Sequence, residues 1–177
     1  MKTLASRTLC RTKIFSVTEE HVVEPGEIEV RRAVVRHGPS AVILAVDRRE
    51  RVLLVRQFRL PAGAALWELP AGRVHAGETP LAAARRELLE ETGVRARRWK
   101  KLLAFYPSPG YVTERMHLYL ARDLVAGEAR PDEDERIRTR WFTRQELTAR
   151  LRTGRIVDGK TLVGLLWWLA GGTRSSR

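Results

Sequence analysis

Arg86, Glu87, Glu90 and Glu91 form one short run whose residue types and spacing are suited to chemistry. On a helix, Glu87 and Glu91 are four apart and stack on one face, with Glu90 beside them. Three clustered carboxylates repel one another, and something must offset that repulsion. Solvent together with Arg86, which stands four residues before Glu90, is one solution. A hard divalent cation is the other, because carboxylate oxygens are the ligands that Mg²⁺ prefers. A cation held this way could neutralise phosphate charge, activate a water and stabilise a leaving oxygen. Taken alone, the run also suits a solvated helix face.

Its surroundings sharpen the reading. A Pro70-Ala71-Gly72 turn enters the segment, and Glu78 stands just before the helix. Gly72, Glu78, Arg86, Glu87, Leu88, Glu90, Glu91, Gly93 and Val94 together spell G-x5-E-x7-R-E-U-x-E-E-x-G-U, where U is aliphatic. This stretch, residues 72–94, resembles the Nudix box at every fixed position. The resemblance implies an α/β (α+β) protein with the Nudix fold, an α/β/α sandwich with a mixed β-sheet in which the box forms loop–helix–loop. It also implies that Glu87, Glu90 and Glu91 hold Mg²⁺ or Mn²⁺, joined by the backbone carbonyl of Ala71. Arg86 would steady the glutamates by salt bridges, and Glu78 would support the site.

A box of this kind gives the reaction and not the substrate. Ser108-Pro109-Gly110, followed by Glu114, places Pro109 sixteen residues after Gly93. This resembles the signature of the ADP-ribose pyrophosphatases. So does the passage from Leu54-Val55-Arg56-Gln57-Phe58-Arg59 to Trp67-Glu68-Leu69-Pro70-Ala71-Gly72. In that group the arginine matching Arg59 contacts substrate phosphate, a role that suits its planar fork; Arg56 is the second candidate. Glu68, Pro109 and Gly110 are expected on the substrate side. The resemblance also puts a catalytic carboxylate on the acidic loop at 131–135, with Glu133 as general base and Glu135 supporting metal or substrate. Glu114 is a further candidate for catalysis or metal support. Asp158-Gly159-Lys160-Thr161-Leu162 looks similar too, as a helix start with a packing role. The likeness runs from about residue 27 to 165. It implies a homodimer built partly by N-terminal strands at about 13–36.

The elements that must position these groups can be read from periodicity. Residues 13–23 and 27–36 read as strands separated by the Pro25-Gly26 turn. Ser40–Val46 and Arg51–Phe58 are apolar β-branched runs joined by a polar tetrapeptide, which predicts a hairpin of buried strands. Pro61–Gly77 is expected to be mostly loop. A helix then starts with Thr79 as N-cap and Pro80 in its first turn, carries an apolar stripe at Leu81, Ala84 and Leu88, and ends at Gly93. Strands follow near Trp99–Tyr106, Met116–Ala121 and Ile137–Phe142. Thr143 to Glu146 is a capping box that opens another helix, and a last helix covers about Lys160–Leu169. The lack of regular βαβ alternation favours a mixed sheet with helices on its faces. Trp167 and Trp168 are placed in the core or at a dimer contact.

The 177 residues suit one domain, 1–177. One cysteine, Cys10, excludes an internal disulfide and fits a reducing compartment. The start of the chain has no secretory apolar run, and Leu162–Ala170 is too short to span a bilayer. A soluble cytoplasmic protein is expected, with no membrane partner. The net charge of +12 suits attraction of a phosphate-bearing nucleotide substrate. The arginines look scattered rather than gathered into a stripe, and basic-aromatic clusters are missing. A nucleic-acid partner is therefore not expected. Other readings are a pyrophosphatase for another ADP-sugar, GDP-mannose or a dinucleotide; a silent nucleotide-binding regulator; and an RNA-directed enzyme of the same family. The intact run of carboxylates speaks against the silent form.

Overall fold

The computed structural model describes residues 1–127 and 137–171. Three strands open the chain: β1 (Lys2–Arg11), β2 (Phe15–Glu24) and β3 (Ile28–His37). They form an antiparallel meander of their own. The Pro25-Gly26 turn joins β2 to β3 as expected, with Gly26 and Glu27 both at positive φ. β1 had not been anticipated. All ten of its positions are exposed, so it has no buried face whose alternation could announce it.

The centre is a mixed four-stranded sheet of β4 (Ser40–Ala45), β7 (Ala71–Arg73), β8 (Val94–Phe105) and β9 (Met116–Ala126), in the order β7-β4-β9-β8. β4 and β9 run parallel, in register from Ser40 opposite Met116 to Ala45 opposite Ala121. β5 (Val52–Arg59), β6 (Ala64–Glu68) and β10 (Arg138–Phe142) make a separate antiparallel sheet with β5 in the middle.

The expected hairpin between residues 40–46 and 51–58 is therefore corrected. β4 and β5 lie in different sheets, and their backbones are linked by an isolated bridge just past β4, Val46 to Val52. Both runs are buried, all of β4 and the first four residues of β5. A run that is apolar on both faces carries no alternation to say which neighbour it takes. The expectation of a mostly irregular 61–77 is corrected as well. After a 3₁₀ turn at Leu60–Ala62, this segment supplies β6 and β7, which are too short to register as periodic.

Among the described residues, three helices cover the sheets: α1 (Pro80–Thr92), α2 (Arg144–Arg152) and α3 (Gly159–Leu169). Two apolar layers result. On one face of the central sheet, Ala41, Ile43, Ala45, Tyr119 and Ala121 meet Ala83, Ala84 and Leu88 of α1. On the other, Val42, Leu44, Leu118 and Leu120 meet Leu54 and Phe142 of the second sheet, Leu147 of α2, and Leu165 and Trp168 of α3. The alternating residues of β4 thus bind two layers together. Each fully buried leucine stabilises the fold by about 1.5–3 kcal/mol. Trp168 is a core residue, whereas Trp167 is half-buried.

β8 is an edge strand, and Arg95, Arg97, Arg98, Lys100 and Lys101 are exposed along it. Five basic side chains thus share one strand at the sheet's edge. A charged edge discourages edge-to-edge pairing with other chains.

Candidate functional site

α1 is built to hold its carboxylates rigidly. The Thr79 hydroxyl accepts from the Ala82 amide at 3.2 Å, and Pro80 occupies the first turn. Gly93, at φ 66°, closes the helix with its amide donating to the Leu89 carbonyl. Such an N-cap contributes about 1 kcal/mol. With Ala83, Ala84 and Leu88 buried against the sheet, the polar edge of the helix is fixed in rotation.

That edge meets β7. Antiparallel pairing sets Ala41 opposite Gly72 and Val42 opposite Ala71, while the Ile43 amide donates to the Pro70 carbonyl. The turn is thereby pinned to the first residues of β4. The Ala71 amide donates to the Glu91 carboxylate at 3.2 Å. Gly72 faces the Glu87 carboxylate so closely that a β-carbon there would lie 1.9 Å from its Cδ. Only a glycine leaves room for this approach.

Arg86 organises the acidic cluster. Its guanidinium donates to both oxygens of Glu78 at 3.0 Å, to Glu87 at 2.7 Å and to Glu90 at 3.0 Å. A fifth bond runs to the Arg73 carbonyl at 2.9 Å. The paired Glu78 carboxylate raises the arginine's pKa, against the opposing effect of partial burial. In turn Arg86, and after it the His75 amide, holds the Glu78 carboxyl below its ordinary range despite desolvation.

These groups line a cleft of about 570 Å³. Glu87, Glu90, Glu91, Arg86, Ala71, Glu114 and Arg59 are all brought to it. Glu114 arrives from the segment before β9. That segment is tied to β3 through Val35 and Tyr111, Thr113 and Val35, and Thr113 and His37. The Ser40 hydroxyl donates to Glu114 at 2.5 Å, and the His37 ring lies 3.7 Å from the same oxygen.

Four other expected residues are placed differently. Pro109 and Gly110 form the predicted turn, with the Tyr111 and Val112 amides donating to the Ser108 carbonyl, but both are exposed and off the cleft wall. Arg56 is exposed in mid-strand opposite Arg138 and does not line the cleft. Glu68 lies behind the wall, 1% exposed, with both oxygens engaged by the Arg59 fork at 2.9 and 2.8 Å. Glu133 and Glu135 lie outside the described residues.

The sequence reading missed several wall residues, among them His37, Ser40 and Lys160. Lys160 stands in the run Asp158–Leu162, which in the sequence reads as a helix start with a packing role. His37 and Ser40 stand in no chemical motif, and only the docking of β3 and β4 beside the 108–115 segment makes them neighbours.

The donor set fits a divalent ion in kind: carboxylate oxygens, a nearby backbone carbonyl at Ala71, and a cradle at Gly72 that a side chain would fill. Among the described residues, no three acidic, His or Cys side chains already stand in ligating proximity. Arg86 occupies an oxygen of Glu87 and one of Glu90. A cation entering here must draw these carboxylates partly away from it.

A model of the NUDIX domain matches residues 36–162. The chain belongs to the NUDIX family. It is 36% identical over 168 residues to an ADP-ribose pyrophosphatase of Bacillus subtilis, covering 91% of each chain. It is 37% identical over 171 residues to a CMP-5'-(N-acetyl-N-hydroxy-3-aminopropyl)phosphonate hydrolase of Streptomyces rubellomurinus, covering 95% of this chain and 82% of the relative. A solved structure described as an ADP compounds hydrolase superposes with a TM-score of 0.81 at 22% identity, over 99% of this chain and 98% of the other. At that identity the superposition speaks for the fold. Nudix hydrolases use divalent metal ions. Among the described residues, no helix of this Nudix protein is long and apolar enough to cross a membrane.

Proposed function

We propose that this protein hydrolyses a nucleoside diphosphate linked to a second group, with ADP-ribose as substrate and AMP and ribose 5-phosphate as products. The observation that carries this reading is the complete carboxylate set, Glu87, Glu90 and Glu91, lining one cleft with Arg86 and the phosphate-matching Arg59. The likeness to an ADP-ribose pyrophosphatase over nearly the whole chain supports the choice of substrate.

Divalent ions, Mg²⁺ or Mn²⁺, would be held by the three box carboxylates and the Ala71 carbonyl, and would supply charge neutralisation and a more acidic water. The chain's own part is positional. Arg86 offsets the mutual repulsion of the carboxylates and holds Glu87 and Glu90 side by side. Arg59, its back clamped by Glu68, offers its remaining edge to a substrate phosphate. A carboxylate takes the proton of the attacking water, and Glu133 in the acidic run 131–135 is our assignment, with Glu135 in support. The water oxygen joins one phosphorus, the bridging P–O bond breaks, and each product leaves with one phosphate.

The working form is a cytoplasmic homodimer of one domain per chain. The apolar side chains Leu4, Leu9, Ile14, Phe15 and Ile28 lie exposed on the N-terminal meander, and a second copy would cover them. Ile14 also lines the cleft, so association there would shape the substrate site.

The test is phosphate release from a nucleotide panel with Mg²⁺ or Mn²⁺, coupled to alkaline phosphatase. The panel holds ADP-ribose, ADP-glucose, GDP-mannose, NADH, diadenosine polyphosphates, nucleoside triphosphates and a CMP phosphonate ester. A dominant ADP-ribose signal that EDTA removes is expected. Preference for another member would keep the chemistry and replace the substrate. Silence throughout would favour a nucleotide-binding regulator.

A further inference from the structure

Arg59 and Lys160, both on the cleft wall, belong to a four-charge cluster that joins three separate parts of the chain. Arg59 ends β5, Glu68 ends β6, and Asp158 and Lys160 open α3. The Glu68 carboxylate, 1% exposed, accepts from Arg59 through both oxygens. Its Oε2 also accepts from the Lys160 ammonium at 2.5 Å. Lys160, whose side chain is 9% exposed, donates to Asp158 Oδ1 at 3.0 Å as well. The other Asp158 oxygen caps α3 through the Thr161 amide and hydroxyl. The Thr161 hydroxyl then accepts from the Leu69 amide at 2.8 Å. Two cations and two anions balance, and a buried carboxylate is kept charged by its partners.

The arrangement has a consequence for Arg59. Its Nε and Nη2 are engaged by Glu68, and among the described residues Nη1 makes no hydrogen bond. Glu68 therefore fixes which edge of the guanidinium faces the cleft. Glu68 cannot hold that orientation as a lone partner, because its Oε2 is shared. Lys160 draws that oxygen toward α3, which sets where the carboxylate plane, and with it the arginine fork, comes to rest.

We infer that Lys160 is a positioning residue for Arg59, acting through Glu68 to aim the arginine at a substrate phosphate. This rests on the reading of Arg59 as the phosphate-contacting residue. Replacing the ammonium leaves Glu68 to a single cation, and the fork follows the carboxylate to a new position. Phosphate affinity falls, while the box carboxylates and their chemistry are untouched.

The experiment compares wild type, Lys160→Met, Lys160→Arg, Glu68→Gln and the Glu68→Gln/Lys160→Met double variant. Calorimetry measures ADP-ribose binding in EDTA, and steady-state kinetics measure KM and kcat with Mg²⁺. Lys160→Met is expected to weaken binding and raise KM about tenfold, with kcat changed less than about threefold. Lys160→Arg, which restores a cation, is expected to recover most of the affinity. The double variant should bind no more weakly than Glu68→Gln alone, because one route carries both effects. Unchanged affinity in a folded Lys160→Met, with the melting temperature checked for each variant, would overturn the inference. Full additivity would overturn it too, by pointing to direct contact between Lys160 and the anion. A wild type that binds no ADP-ribose would overturn the functional reading and this inference with it, a result visible before any variant is made.

Discussion

The carboxylate of Glu87 occupies the space that a side chain on residue 72 would need: a β-carbon on Gly72 would fall 1.9 Å from both Cδ and Oε1. Gly72 belongs to β7 and Glu87 to α1, so one residue without a side chain lets a helix edge close on a strand. The contact is with the far end of a flexible side chain. Gly72→Ala is therefore expected to fold, with Glu87 rotated away. We expect a melting temperature within a few degrees of wild type and a loss of kcat/KM of about a hundredfold, as a displacement near 1 Å commonly causes. Full activity in the alanine variant would mean that the position of Glu87 is not needed for turnover.

Arg86 makes a different kind of contribution. It reaches Glu78, Glu87 and Glu90 together and also the Arg73 carbonyl. A lysine keeps the charge but offers a single nitrogen, which cannot span these acceptors. Arg86→Lys is expected to raise the metal concentration for half-maximal activity by roughly tenfold to a hundredfold, the range for groups that orient metal ligands. A titration of activity with Mg²⁺ measures this directly. An unchanged midpoint would show that charge alone, and not the fork, organises the cluster.

The site was legible in the sequence where its residues are close along the chain. Glu87, Glu90 and Glu91 share one helix, and helical spacing alone placed them on one edge. Their link to Ala71 and Gly72 was legible through the motif. What could not be read was any partnership made by tertiary contact alone. Lys160 and Glu68 are 92 residues apart, and His37 and Glu114 meet only because the 108–115 segment docks on β3. The fold shows the same division. α1 was readable from its caps and stripe. The separation of β4 and β5 into two sheets was not, because both are apolar runs without alternation. β1 was invisible for the opposite reason, having no buried face at all.

Glu68 gives the protein a pH signature. Burial works to raise its pKa, yet the Arg59 fork and then the Lys160 ammonium prevail, and the carboxyl sits below its ordinary value of 4.5. A depressed pKa in the folded state means that the folded chain holds the proton less tightly than the unfolded one. The stability this confers is fully present above about 4.5 and drains as pH falls toward the folded value. Glu68→Gln breaks a buried ion cluster and is expected to cost about 3 kcal/mol near neutrality. The gap in melting temperature between wild type and Glu68→Gln should narrow as pH drops from 7 to 3.5. A constant gap across that range would show that the Glu68 charge is not what the fold depends on.

The last question is which carboxylate takes the proton of the attacking water. Glu114 lines the cleft and accepts a 2.5 Å bond from Ser40, and its glutamine variant can keep that bond through the amide oxygen. Glu114→Gln therefore removes charge with little change of shape. A carboxylate held by a serine on the cleft wall is better suited to assisting the metal than to moving freely as a base. We expect Glu114→Gln to raise the Mg²⁺ requirement with a modest fall in kcat at saturating metal. Glu133→Gln is expected to lower kcat by about 10²- to 10⁴-fold, the usual contribution of a general base, with the Mg²⁺ midpoint unchanged. It should also flatten the acid limb of the kcat–pH profile, since the group whose deprotonation that limb reports would be gone. If Glu133→Gln turns over normally and Glu114→Gln loses both rate and the acid limb, the base is Glu114. If neither loses the limb, Glu135→Gln is the variant that must.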